Sequence, residues 1–181
     1  MANTCKQDNR IKIDRIRSKK SLATSDWKTL KRLLQQDYLR HPDDEFTVSY
    51  LAYVCYRLGE YKTALKYSIE TQQFNACDPL YLSTHADILY KLKQYSRAIG
   101  IYKKIIRREP SVARLVKAGK AKRWELELIN DCRYGLAVYY QERGKTHLAK
   151  KWIQRHIETR NKGVKSTVKM RQVKMILKNM G

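Results

Sequence analysis

A chain of 181 residues with 43% hydrophobic and 10% aromatic content carries enough apolar material for one domain with a sizeable core, which excludes wholesale disorder. Seven Gly, three Pro and few alternating β-branched runs leave little for a sheet-rich fold, so an all-α fold is the default. Thirty-nine Lys and Arg against 17 Asp and Glu give +22, distributed as +5 over residues 1–44, +4 over 45–112 and +13 over 113–181. Such a field raises encounter rates with nucleic acid, acidic proteins or anionic lipid without choosing among them. No apolar stretch reaches the length of a membrane span and the N-terminus lacks the apolar core of a secretory signal, so a cytoplasmic protein with no transmembrane segment is expected.

Residues 1–24 form a basic N-terminal arm in which Arg10, Lys12, Arg15, Arg17, Lys19 and Lys20 are interrupted by Ile11, Ile13 and Ile16. Two readings fit: an arm for an anionic partner, or a terminus whose isoleucines cover the first repeat. Asp8 and Asp14 count against a mitochondrial presequence. A helical repeat domain is expected over 25–161, opening with a degenerate unit at 25–44. There Ser25 is the expected cap of a helix with Trp27, Leu30, Leu33, Leu34, Tyr38 and Leu39 on one face and Pro42 just beyond its end. This segment reads as the second helix of a hairpin whose first helix would have to come from the arm.

Between 45 and 112 one pattern occurs twice. Ala52, Tyr56, Leu58, Tyr61, Ala64 and Leu65 are matched by Ala86, Tyr90, Leu92, Tyr95, Ala98 and Ile99, each 34 residues later. Apolar residues fall at three- and four-residue intervals on both sides of a break, so the units 45–78 and 79–112 each read as two short amphipathic helices joined by a tight turn. Asp78-Pro79 opens the second unit, with Pro in the first helical turn. A single hairpin cannot bury its own apolar face and has to stack on a neighbour. At these residues the chain resembles the tetratricopeptide repeat family: Ala52, Gly59, Tyr61 and Ala64 fill its pattern in one unit, and Ala86, Tyr95, Ala98, Tyr102 and Pro110 in the next. The resemblance implies an α-α superhelix of stacked helical hairpins. Three positions depart from the pattern: Lys93 replaces the turn Gly, His85 an aliphatic residue, and Ser68 an aromatic one. His85 reads as a packed core histidine rather than a metal ligand.

After Pro110 the period fails. A partial repeat over 130–161, built on Leu136, Ala137, Tyr140, Gly144, Leu148, Ala149, Trp152 and Ile153, has its turn 51 residues after Lys93. The extra residues fall in a basic insertion at 111–128 that contains Arg114, Lys117, Lys120, Lys122 and Arg123, read either as an exposed loop or lengthened helix for an anionic partner or as a solvated insertion. Residues 162–181 form a basic amphipathic C-terminal helix carrying Lys162, Lys165, Lys169, Arg171, Lys174 and Lys178 with no acid. It fits a contact to phosphates or lipid, and equally a capping helix in which Val173, Ile176, Leu177 and Met180 are core.

Nothing in the chain has the spacing of a phosphate loop, an H-E-x-x-H or a G-x-S-x-G motif, so neither catalysis nor a metal or other cofactor is expected. Cys5, Cys55, Cys77 and Cys132 lack metal-like pairing and read as reduced. The resemblance implies a partner-binding groove lined by first helices, at Phe46, Ser49, Tyr53 and Tyr56, then Leu80, Ser83, Asp87 and Tyr90, then Asp131, Tyr134, Val138 and Gln141. The Lys, Asn and Arg with which the family's chaperone-tail adaptors clamp a terminal carboxylate are missing there. A tyrosine-rich lining suits a protein or peptide segment, which makes an adaptor or chaperone-like role the expectation. The alternative is a nucleic-acid- or ribosome-associated protein that contacts its polyanion through the C-terminal third, with Arg123 beside Trp124 and Lys151 beside Trp152 placed to stack on bases.

Overall fold

The computed structural model describes residues 2–19, 21–119 and 123–180, and every regular element among them is helical. In chain order these are α1 (Ala2–Arg17), α2 (Thr24–Arg40), α3 (Glu45–Arg57), α4 (Tyr61–Phe74), α5 (Pro79–Lys91), α6 (Tyr95–Arg107), α7 (Glu109–Lys117), α8 (Trp124–Glu142), α9 (Thr146–Asn161) and α10 (Met170–Lys178). The chain divides into two compact units, Met1–Gln94 and Tyr95–Gly181. Within each, neighbouring helices pack on one another in the solenoid-like manner of an all-α fold.

In the N-terminal unit the basic arm supplies the helix that α2 needs. Ile13 is fully buried beside Trp27, Leu30 and Leu34, Ile16 packs at the edge of the same core, and Ile11 is exposed. Asn9 donates to the Asp37 carboxylate at 2.7 Å with both side chains buried, so the two helices are joined by a satisfied polar contact as well as by apolar packing. The capping expectation is corrected: Ser25 lies inside the first turn of α2, and the Asp26 carboxylate accepts from the Ala23 backbone N–H at 3.0 Å. Leu39 is 83% exposed, because the buried stripe continues through Asp37 and the half-buried Tyr38 instead.

One turn geometry recurs at the ends of α3, α5 and α8. The N–H of Glu60 donates to Cys55 O, that of Gln94 to Leu89 O and that of Lys145 to Tyr140 O, each at 2.9 Å. This is the six-to-one bond of a helix ending in a left-handed residue. That residue is Gly59 at φ +80 and Gly144 at φ +66, and between them Lys93 holds φ +62 despite its side chain. The helix starts follow rule as well. Asp44 caps α3 through Thr47 N–H, and Asp78 caps α5 through Leu80 and Tyr81 N–H with Pro79 in the first turn.

In the C-terminal unit, α8 runs 19 residues against 13 for α3 and α5, and α7 precedes it. The insertion is therefore helical at both ends and docked: Val112 is buried, Arg108 pairs with Glu125 at 3.9 Å, and the buried Arg133 pairs with Glu109. Gly135 allows α8 to meet the Tyr102 ring of α6, since a Cβ there would stand 3.0 Å from it. The C-terminal segment closes the unit: Val173, Ile176 and Met180 are buried in one core with Ala137, Ala149 and Ile153. The capping reading places Leu177 in that core as well, and this is corrected: Leu177 is 40% exposed on α10, as is the more exposed Met175.

Candidate partner-binding surface

The groove positions of the N-terminal unit lie on α3 and α5. Phe46, Tyr53, Tyr56, Asp87 and Tyr90 are half-buried, Leu80 is half exposed, and Ser83 is buried. Ser49 turns its hydroxyl back onto Phe46 O at 3.0 Å. The Tyr81 hydroxyl donates to Glu45 at 2.6 Å, and burial together with that carboxylate pushes its phenol up to about 12. Burial, with Asp87 second, likewise holds Tyr56 protonated far above neutral pH. At neutral pH these tyrosines offer neutral hydroxyls on apolar rings.

The lining of α3 is not weakly charged, as its own residues would suggest. Phe46, Tyr50, Tyr53 and Trp27 form a run of ring contacts, with centroids 5.6 Å apart from Phe46 to Tyr50, 6.2 Å from Tyr50 to Tyr53 and 5.8 Å from Tyr53 to Trp27. Arginines lie on this run. Arg10 sits 3.5 Å above the Phe46 ring, Arg17 lies 5.0 Å from Tyr50 and 5.4 Å from Phe46, and Arg57 lies 4.5 Å from Trp27. Arg57 also donates to the Tyr53 hydroxyl at 2.8 Å. Sequence reasoning missed the set because Arg10 and Arg17 come from α1, some 30 residues from the rings they cover. The alternation of Arg with Ile in the arm was its only trace.

In the C-terminal unit the groove positions of α8 are occupied by the chain itself. Tyr134 and Val138 pack against the core that α10 completes, and the Tyr134 ring lies 5.8 Å from that of His156. The Asp131 carboxylate accepts from the Ser166 hydroxyl, from Thr167 N–H at 3.2 Å and from the Thr167 hydroxyl at 2.6 Å, which latches the segment leading into α10. Arg123 holds Gly163 O at 2.8 Å and Arg160 holds Val168 O at 2.7 Å along the same segment. Gln141 is half-buried near the end of α8.

The basic positions Arg114, Lys117, Arg123, Lys165, Lys169, Arg171, Lys174 and Lys178 are all exposed, whereas Lys120 and Lys122 lie outside the described residues. His85 is buried and bonded to Ser68 at 2.9 Å. Among the described residues, no three His, Cys, Asp or Glu side chains gather where they could hold a metal ion, and no helix is long and apolar enough to cross a membrane. No family model matches the chain, and no curated protein matches it.

Proposed function

We propose that the chain is a non-enzymatic adaptor or chaperone-like protein of the tetratricopeptide kind, cytoplasmic, that binds an extended or helical segment of a partner protein against α3 and α5. The observation that supports it is the half-buried tyrosine face: Tyr53 and Tyr56 on one helix, and Tyr90 on the other at the position 34 residues after Tyr56. Tyrosines held this way offer apolar area and a hydroxyl at little ordering cost. The groove is proposed for the N-terminal unit alone, because Asp131, Tyr134 and Val138 of α8 are engaged by the C-terminal segment. Cross-linked pull-down with the tagged protein tests it. Tyr53→Ala with Tyr90→Ala should remove the captured partner while circular dichroism stays helical, and an undiminished capture by a folded double variant would dismiss the groove.

A second reading has its own support. The C-terminal unit carries 23 basic residues against six acidic ones, and the eight basic positions above all face solvent. That surface suits the phosphates of a nucleic acid or ribosome. Nucleic acid that co-purifies with the protein and is removed by salt or nuclease would favour this reading; its absence at low salt would count against it.

A further inference from the structure

We propose that the arginine-covered ring run of the N-terminal unit reads acidic side chains, so that the partner segment bound on α3 is glutamate- or aspartate-rich and its carboxylates pair with Arg10, Arg17 and Arg57. This rests on the groove reading above and names the chemistry of its ligand.

The guanidiniums are ordered before any partner arrives. Each lies on an aromatic face, where the ring quadrupole holds the cation; Arg17 and Arg57 are exposed, while Nη1 of Arg10 is buried 3.6 Å from Asp44 and makes no hydrogen bond among the described residues. Stacking in advance removes much of the rotamer entropy that binding would otherwise cost. Charge is also concentrated there. Arg10 and Arg17 both approach the Phe46 ring, so two like charges share one small area. Among the described residues, Asp44 lies 3.6 Å from Arg10 and Asp14 3.4 Å from Arg17, against the five N–H donors of each guanidinium. Arg57 donates to a neutral acceptor, the Tyr53 hydroxyl. An incoming carboxylate meets forked donors that match it in pairs and relieves the repulsion between the cations.

Two features favour an acidic peptide over a nucleic acid. Unpaired bases need open aromatic faces to stack on, and here the faces of Phe46, Tyr50 and Trp27 carry guanidiniums while the rings also contact one another. The bulk field is also in the wrong place for a polyanion: the N-terminal unit has 16 basic and 11 acidic residues, far from the imbalance of the C-terminal unit. A strip of three oriented arginines on a nearly balanced surface selects a short acidic segment by geometry rather than by net charge.

Fluorescence anisotropy on the full chain tests this with a labelled peptide of alternating Glu and Ala, the matching Gln and Ala peptide, and a single-stranded oligodeoxynucleotide of equal charge. The wild type should prefer the Glu peptide. Arg17→Gln with Arg57→Gln, both exposed and checked for helicity by circular dichroism, should weaken it at least about tenfold, since one charge-assisted pair carries roughly that factor. Arg17→Lys with Arg57→Lys should restore only part, because the fork is lost. Lys62→Gln with Lys66→Gln, exposed on α4, should leave the peptide affinity unchanged. The proposal is overturned if the Arg→Gln pair binds the Glu peptide like wild type, if the α4 pair weakens it equally, or if the oligonucleotide binds tighter and depends on Arg17 and Arg57. Equal binding of the Gln peptide, lost in Tyr90→Ala, would overturn the acidic ligand and leave the groove reading standing.

Discussion

Ser68 Oγ and His85 Nδ1 lie 2.9 Å apart and join α4 to α5 within the core of the N-terminal unit. The two residues are separate departures from the repeat pattern, a hydroxyl where an aromatic belongs and an imidazole where an aliphatic belongs, and they answer each other. The Ser68 hydroxyl donates to Leu65 O at 2.9 Å, so its single hydrogen is used and Nδ1 of His85 is the donor between them.

That pairing gives a coupling that can be measured. Ser68→Ala leaves a buried imidazole N–H without its acceptor and should cost about 1–3 kcal/mol. His85→Leu leaves the Ser68 hydroxyl still bonded to Leu65. In the double variant no imidazole remains to be orphaned, so the double loss should be smaller than the sum of the singles by about 1 kcal/mol. Urea unfolding of the four proteins reads the difference, and strict additivity would mean that the pair is not energetically joined.

Lys93 is the left-handed residue of its turn, at φ +62, where Gly59 and Gly144 fill the equivalent places. A side chain there costs about 1–2 kcal/mol, whereas Gly loses about 0.4–1 kcal/mol through its freer unfolded chain. The first effect is larger. Lys93→Gly should therefore stabilise by about 0.5–1 kcal/mol, and Gly59→Ala should destabilise by a similar amount although no atom stands within 4 Å of the added Cβ. Differential scanning calorimetry decides, and a lower melting temperature for Lys93→Gly would contradict the argument.

What the sequence made legible was local. The tight turns, the Asp78-Pro79 helix start and the apolar face of α10 follow from residues within one or two helical turns of each other, and the period of 34 from the recurrence of such a local pattern. What it hid depended on distant partners. Asn9 meets Asp37, Arg10 meets Phe46, and Asp131 meets Ser166 and Thr167, each across 28 or more residues. Polar residues read singly looked like solvated faces, and only packing showed which side chains faced which. The Ser25 cap and the burial of Leu39 and Leu177 failed for a smaller reason: a helix that begins two residues earlier, or a stripe that follows a different row, moves a boundary side chain to the other face.

His156 makes stability depend on pH. It is fully buried with Nδ1 2.9 Å from Asn130 O, and burial holds its pKa below the ordinary 6.5. The backbone bond to Asn130 and the charge of Asp131 oppose that shift, while Arg160 and Arg133 reinforce it. The unfolded chain binds this proton more readily than the folded one. The stabilisation is therefore complete above 6.5 and is lost progressively as pH falls below it toward the folded pKa. The melting temperature of the wild type should drop more between about pH 7 and pH 5 than that of His156→Gln. Parallel profiles would assign the acid lability elsewhere.

Asp131 should control how firmly the C-terminal segment is held. Asp131→Ala removes three accepted bonds from Ser166 and Thr167 and leaves the α10 core intact. Limited trypsin digestion should then cut at Lys165 and Lys169 several-fold faster, with a loss of about 1–2 kcal/mol in stability. Cleavage at the wild-type rate would show that α10 packing alone fixes the segment.

α10 should separate into two roles by face. Val173 and Ile176, with Met180 just past the helix end, are buried with Ala137 and Ile153, whereas Arg171, Lys174 and Lys178 of α10 face solvent. Removing residues 162–181 exposes that core, and each large apolar side chain lost costs about 2–3 kcal/mol, so the truncated protein should melt well below the full chain. Arg171→Gln, Lys174→Gln and Lys178→Gln together leave the core untouched and should change the melting temperature little. If these cations contact phosphates, each contact releases counterions, and the triple variant should flatten the slope of log affinity against log salt for an oligonucleotide by up to about three. An unchanged slope with unchanged melting would make the basic face a solvated surface and α10 a cap alone. A truncated chain that melts like the full one would remove the cap instead.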